Sequence, residues 1–122
     1  MGMVADYYKE RGEYRPKLQE GLPEVMATAV SMINETYKDG ALSHQFKELL
    51  ALAISINVQC ESCIIHHIHS ALQLGATKEQ IMETLAVAIQ MRGGPALAEG
   101  LKVVKILEEL TSAHSPNRIG IR

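Results

Sequence analysis

Four short breaks divide this chain: Leu22-Pro23, Asp39-Gly40, Gly75 and Gly93-Gly94-Pro95. Between them, nowhere is the apolar–polar alternation of a half-buried strand sustained, and the stretches have the length of helices. Residues 4–20 form a first segment, polar and weakly patterned. Leu22-Pro23 opens a second helix to about residue 38, since proline is tolerated in a first helical turn. Ser43 is the N-cap of a third helix, which runs to about residue 58. A fourth helix starts near Cys60 and stops at Gly75, a favourable residue just past a helix end. Thr77 with Gln80 forms a capping box for a fifth, to about residue 91. A last helix, 96–110, carries Leu97, Leu101, Val104, Leu107 and Leu110 as its apolar stripe, with Lys102, Lys105, Glu108 and Glu109 opposite. The tail from Ser112 to Arg122 is expected to be mobile. The pattern predicts an all-α, single-domain bundle of about six helices covering residues 1–122.

Two of these helices are apolar most of the way round. The third carries Leu49, Leu50, Leu52, Ala53, Ile54 and Ile56; the fifth carries Ile81, Met82, Leu85, Ala86, Val87, Ala88 and Ile89. A chain of 122 residues has few places to bury two such helices completely. Either the core is tightly centred on them or they meet a second subunit.

Charge and aromatic content remove whole classes of function. Twelve basic against fourteen acidic residues give a net charge of −2, so bulk attraction to nucleic acid is not expected. Four tyrosines, one phenylalanine and no tryptophan make no base-stacking platform. The longest apolar run, Leu49 to Ile54, is too short to cross a bilayer. The charged first ten residues do not resemble a secretory signal, and two cysteines are too few for an extracellular disulfide scaffold. A cytoplasmic protein is expected.

Both cysteines lie in one stretch, Cys60-Glu-Ser-Cys-Ile-Ile-His-His-Ile-His-Ser. At about 100° per residue, Cys60, Cys63, Ile64, His67, Ala71 and Leu74 share one helical stripe. Ser62, His66, His69 and Gln73 fall opposite, so His66 and His69 are expected to be surface histidines whose replacement is nearly silent. Thiols at i and i+3 approach closely enough for a disulfide. A helix N-terminus lowers the pKa of the Cys60 thiol, and His67, one turn after Cys63, can take that thiol's proton. The unit is a dithiol with its own base, able to cycle between thiol, sulfenic acid and disulfide. Zinc is the rival reading, with Cys60, Cys63 and His67 as ligands and His44 or Glu48 as a fourth, but no second Cys or His pair at zinc-finger spacing follows. Covalent haem requires histidine directly after the second cysteine, where this chain has Ile64. No resident cofactor or metal is expected.

The spacing Glu48-x11-Cys60-x2-Cys63-x3-His67, followed by Leu74-Gly75-Ala76-Thr77, resembles the alkylhydroperoxidase D-like group of the carboxymuconolactone decarboxylase superfamily. The resemblance runs over residues 22–107 and includes Lys47-Glu48 and Gly93-Gly94-Pro95. It implies an all-α subunit that assembles as a homo-oligomer, a trimer or a hexamer. It also implies a thiol-dependent peroxidase or disulfide reductase site. By resemblance Glu48 is the family carboxylate, Cys60 and Cys63 the redox pair and His67 the relay histidine. The implied partners are a hydroperoxide and an external dithiol reductant, with no nucleic acid and no membrane. Patterning alone does not single out Glu48, which sits with Gln45, Ser55 and Gln59 on the more polar side of the third helix. Ser62 stands where some peroxidase members carry a second histidine, and the chain is shorter than the best-characterised members. The name-giving decarboxylases generally lack paired cysteines, so decarboxylation fits poorly. The alternatives are a general disulfide oxidoreductase or redox adaptor, and a structural zinc-binding oligomer.

Overall fold

The computed structural model describes residues 2–112. It contains six helices: α1 (Met3–Gly21), α2 (Pro23–Thr36), α3 (His44–Asn57), α4 (Glu61–Gln73), α5 (Lys78–Arg92) and α6 (Gly94–Thr111), with no strand among the described residues. The expectation for the tail beyond Ser112 lies outside them. No helix among the described residues is long and apolar enough to cross a membrane.

Local chemistry sets the helix ends. Ser43 Oγ accepts the Phe46 amide at 3.1 Å and starts α3. Thr77 and Gln80 satisfy each other's backbone amides at 3.1 and 2.7 Å, the reciprocal box that starts α5. Gly75 and Gly93 take φ of 91° and 84°, a left-handed conformation that costs glycine nothing, and so turn the chain after α4 and α5. Pro95 sits in the first turn of α6, where no amide is needed.

Helices α3, α4, α5 and α6 pack into one core. Leu52 and Ile56 of α3, Ile64, Ile65 and Ile68 of α4, Ile81 of α5 and Ile106 and Leu107 of α6 are fully buried in it. The start of α1 is fastened to this core. Val4 is buried, and the amides of Val4 and Ala5 donate to the Glu109 carboxylate at 3.1 and 2.9 Å. Glu109, expected on the solvent face, instead satisfies the free amides at the positive end of α1. Helix α2 buries no residue and lies along α1 as an outer layer.

The apolar stripe of α6 is only in part the one expected: Leu107 and Leu110 are buried, as expected, but the first half of the stripe is not. Ala96, Gly100, Val103, Ile106, Leu107 and Leu110 face the core, while Leu97, Leu101 and Val104 are 62%, 72% and 41% exposed. The reason is the crossing with α5. A Cβ on Gly100 would stand 3.3 Å from Leu85 Cδ2, so α5 and α6 approach closely where α6 offers small residues, and this close approach turns the leucines outward. Ile54 of α3 and Val87 and Met91 of α5 are exposed too. A core centred on α3 and α5 therefore does not cover both helices within one chain.

Candidate functional site

The site forms where α3 crosses α4. Glu48, in the second turn of α3, is only 4% exposed although charged. Both its carboxylate oxygens meet imidazoles: Oε1 lies 2.7 Å from His67 Nδ1 of α4, and Oε2 lies 3.1 Å from His44 Nε2 one turn earlier on α3. A buried carboxylate must be hydrogen-bonded to be tolerated, and these two rings do that. A carboxylate on Nδ1 sets the tautomer of His67: Nδ1–H donates to Glu48, and Nε2 carries the lone pair. The Tyr37 ring stacks on His67 at 6.0 Å and tilts against His44 at 5.9 Å, which limits rotation of both.

Electrostatics follow from this packing. Burial pushes the Glu48 carboxyl up, but the hydrogen bond and charge of His67, the hydrogen bond of His44 and the charge of His66 outweigh it. Glu48 therefore ends below its ordinary value of 4.5. Tyr37 is raised, by burial and then by the Glu48 charge. His66 is held below 6.5, first by burial and then by the His67 charge.

The cysteines stand at the start of α4. Gln59, in the left-handed region at φ 58°, turns the chain so that Cys60 becomes the N-cap. Cys60 Sγ accepts the Cys63 amide at 3.4 Å, and the two residues form a disulfide with Cα atoms 5.2 Å apart. Cys63, with Ser62, His66 and His67, lines a cavity of about 310 Å³ whose far side is made by α1 and α2. His66 and His67 also wall a neighbouring cavity of about 480 Å³ that contains Tyr37, His44 and Glu48.

The structure brings the four residues singled out in the sequence together: Glu48 bonds His67, Cys60 bonds Cys63, and Cys63 shares a cavity with His67. Two expectations are corrected. His66 is half-buried and faces both cavities, and His69 is only 7% exposed, with the Tyr8 hydroxyl 3.4 Å from its Nδ1. Helix α4 is covered on two sides, because α1, unpromising in sequence, brings Tyr8 against the face that the helical wheel left to solvent. Burial, then the charge of Tyr7, pushes the Tyr8 hydroxyl up to about 12 against the opposing Arg11 charge. The metal-ligating set also differs from the expected one. The cysteines bond each other, and the donor atoms that gather within 4.8 Å of one another belong to Glu48, His66 and His67. That set could hold a metal ion. The place of His44 as second partner of Glu48 was missed, although its spacing, one turn before Glu48, puts both on one helical face.

Comparison with known proteins agrees with this architecture. The sequence profile of the carboxymuconolactone decarboxylase family matches residues 23–105. The chain is 43% identical over 77 residues to uncharacterized protein 4 in the cox locus of Paracoccus denitrificans, covering 63% of this chain and 69% of that one. It is 32% identical over 95 residues to an uncharacterized protein of Cupriavidus necator, covering 78% and 84% respectively. The apo crystal structure of a carboxymuconolactone decarboxylase family protein from Legionella pneumophila superposes with a TM-score of 0.82 at 34% identity, over 87% of this chain and 95% of that one. A Thermotoga maritima member of the same family, for which a part in an antioxidative response has been suggested, superposes with a TM-score of 0.77 at 28% identity, over 86% and 89%. With the profile spanning α2 to α6 and the fold matched over most of its length, this chain belongs to the carboxymuconolactone decarboxylase family.

Proposed function

We propose that the protein is a thiol-dependent peroxidase that reduces hydroperoxides through Cys60 and Cys63. One observation carries the reading: Cys63 opens on the same cavity as His67, whose other ring nitrogen is held by the buried Glu48 carboxylate. In the reduced protein His67 Nε2 takes the Cys63 proton, and Glu48 stabilises the imidazolium and keeps the ring oriented. The thiolate sulfur attacks the terminal peroxide oxygen and the O–O bond breaks. The leaving alkoxide takes the proton from His67 and departs as an alcohol, and Cys63 becomes a sulfenic acid. The Cys60 thiol then attacks that sulfur, a disulfide forms and water leaves. An external dithiol reduces the disulfide and is itself oxidised. Cys63 is assigned as the attacking thiol because it faces the cavity, whereas Cys60 is the N-cap. The suggested antioxidative role of the Thermotoga relative fits this chemistry. Two cysteines and no more suit a reducing cytoplasm.

The exposed apolar residues of α3, α5 and α6 fit a homo-oligomer, a trimer or hexamer, in which subunits cover Ile54, Val87 and Leu101.

The test is intact-mass spectrometry of the reduced chain before and after one equivalent of hydroperoxide. Loss of two hydrogens mapped to Cys60–Cys63, faster than oxidation of a free thiol, is the expected result. Oxidation no faster than that of a free thiol replaces the reading with a general disulfide oxidoreductase, which the same pair also serves.

A further inference from the structure

Helix α1 lies outside the segment 23–105 that the family profile matches, yet it closes one side of the cavity onto which Cys63 opens. It does so with Tyr7, Arg11 and Arg15, spaced i, i+4 and i+8 on a single helical face. Both arginines are partly buried, and neither is paired with a carboxylate among the described residues. Of the acidic residues of the same helix, Asp6, Glu10 and Glu13 surround a different depression. Among the described residues, no acidic side chain lines the cavity shared by Arg11, Arg15 and Cys63. His66, on the opposite wall, adds hydrogen-bonding capacity. The result is a cavity whose described lining carries two permanent positive charges, no carboxylate and a redox sulfur across from them.

We propose that this cavity selects hydroperoxides bearing a carboxylate, with Arg11 and Arg15 binding the carboxylate while the peroxide reaches Cys63. The proposal rests on the peroxidase reading and names the substrate class for it. A guanidinium is charged at any working pH and matches a carboxylate through two parallel N–H donors. A volume of about 310 Å³ is at the lower end of small-ligand sites, which favours a short or aromatic acid over a long acyl chain. The reaction is otherwise unchanged. The Cys63 thiolate takes the terminal oxygen and is oxidised to sulfenic acid, the O–O bond breaks, and the alkoxide leaves with a proton from His67 as an alcohol that keeps its carboxylate.

The experiment compares para-carboxy cumene hydroperoxide with its methyl ester, which matches it in shape and lacks the charge. The wild-type chain is expected to favour the acid by roughly tenfold in kcat/KM, mainly through KM. The Arg11→Gln/Arg15→Gln double variant is expected to bring the acid-to-ester ratio close to one, and the Arg11→Lys/Arg15→Lys variant to keep part of the preference. A wild-type ratio near one, or a preference that survives the glutamine variant, overturns the proposal. If neither hydroperoxide is consumed, the peroxidase reading falls, and the anion site is decided separately by titrating 4-isopropylbenzoate into the oxidised chain and following the Ser62 and Cys63 amides by NMR. Saturable shifts that the double glutamine variant loses uphold the carboxylate site; no shifts in the wild type overturn it.

Discussion

Glu48 and His67 meet across the crossing of α3 and α4, with carboxylate Oε1 2.7 Å from imidazole Nδ1. His44 holds the second oxygen, so the carboxylate is fixed at both ends, and Tyr37 packs against both rings. A buried charge with two aromatic donors can change its partners only by local rearrangement, which makes the orientation of His67 a property of the folded bundle rather than of α4 alone. In the proposed reaction this pair is already oriented before a substrate arrives.

His67→Ala is expected to slow peroxide-dependent oxidation of the cysteine pair by about 10²–10⁴-fold, the usual range for a positioned base. Glu48→Gln, which keeps the shape and loses the charge, is expected to slow it in the same direction by a smaller factor. Stopped-flow measurement of disulfide formation checks both. A Glu48→Gln chain as fast as wild type excludes the carboxylate from the relay.

The same carboxylate leaves a mark on stability. Its folded-state pKa lies below the ordinary 4.5, so the unfolded chain takes up this proton first as pH falls. The stability contributed by Glu48 is complete above about pH 4.5 and is lost as pH falls through the folded-state value. Denaturation midpoints of wild type and Glu48→Gln are expected to converge as pH is lowered from about 6 to about 3. A constant gap across that range contradicts the assigned shift.

The two cysteines are not equivalent in position, and their serine variants are expected to differ. Cys63→Ser is expected to abolish the proposed hydroperoxide reduction. Cys60→Ser leaves the attacking sulfur without its resolving partner, so peroxide leaves a sulfenic or overoxidised species on Cys63, visible by dimedone labelling and peptide mass. Label on Cys60 in the Cys63→Ser chain, with none on Cys63 in the other, reverses the assignment.

His66 and His69 separate by function. His69→Ala removes a buried ring packed on Tyr8 and is expected to cost about 1–3 kcal/mol of stability in denaturant unfolding. His66→Ala, half-buried at the wall of the Cys63 cavity, is expected to change the reaction rate and to cost less stability than His69→Ala in the same unfolding measurement.

Assembly is tested on α6. Leu52 and Leu85 are core residues, so charge there reports folding. Leu101 is 72% exposed in the single chain, so Leu101→Glu is expected to keep the helical circular dichroism and yield a 13.4 kDa monomer by light scattering. A wild-type chain already monomeric at micromolar concentration ends the oligomer proposal.

The features legible in the sequence alone are local. Ser43, the Thr77–Gln80 box, Gly75 and Gly93 act on amides or turns within a few residues, and each ends or starts a helix as expected. The Cys60–Cys63 pair is likewise an i, i+3 relationship that any helix start would preserve. The tertiary structure decided which face of each helix is covered and by what. Residue periodicity shows that α6 has apolar stripes. Only the close approach of Leu85 to Gly100 chose the stripe of Ala96 and Val103 over that of Leu97 and Leu101. The wheel left His69 to solvent because nothing in α4 announces that Tyr8 will lie across it. Glu48 became the partner of His67 for the same reason: a buried carboxylate is settled by the ring that reaches it from another helix, and that distance closes only when α3 and α4 pack.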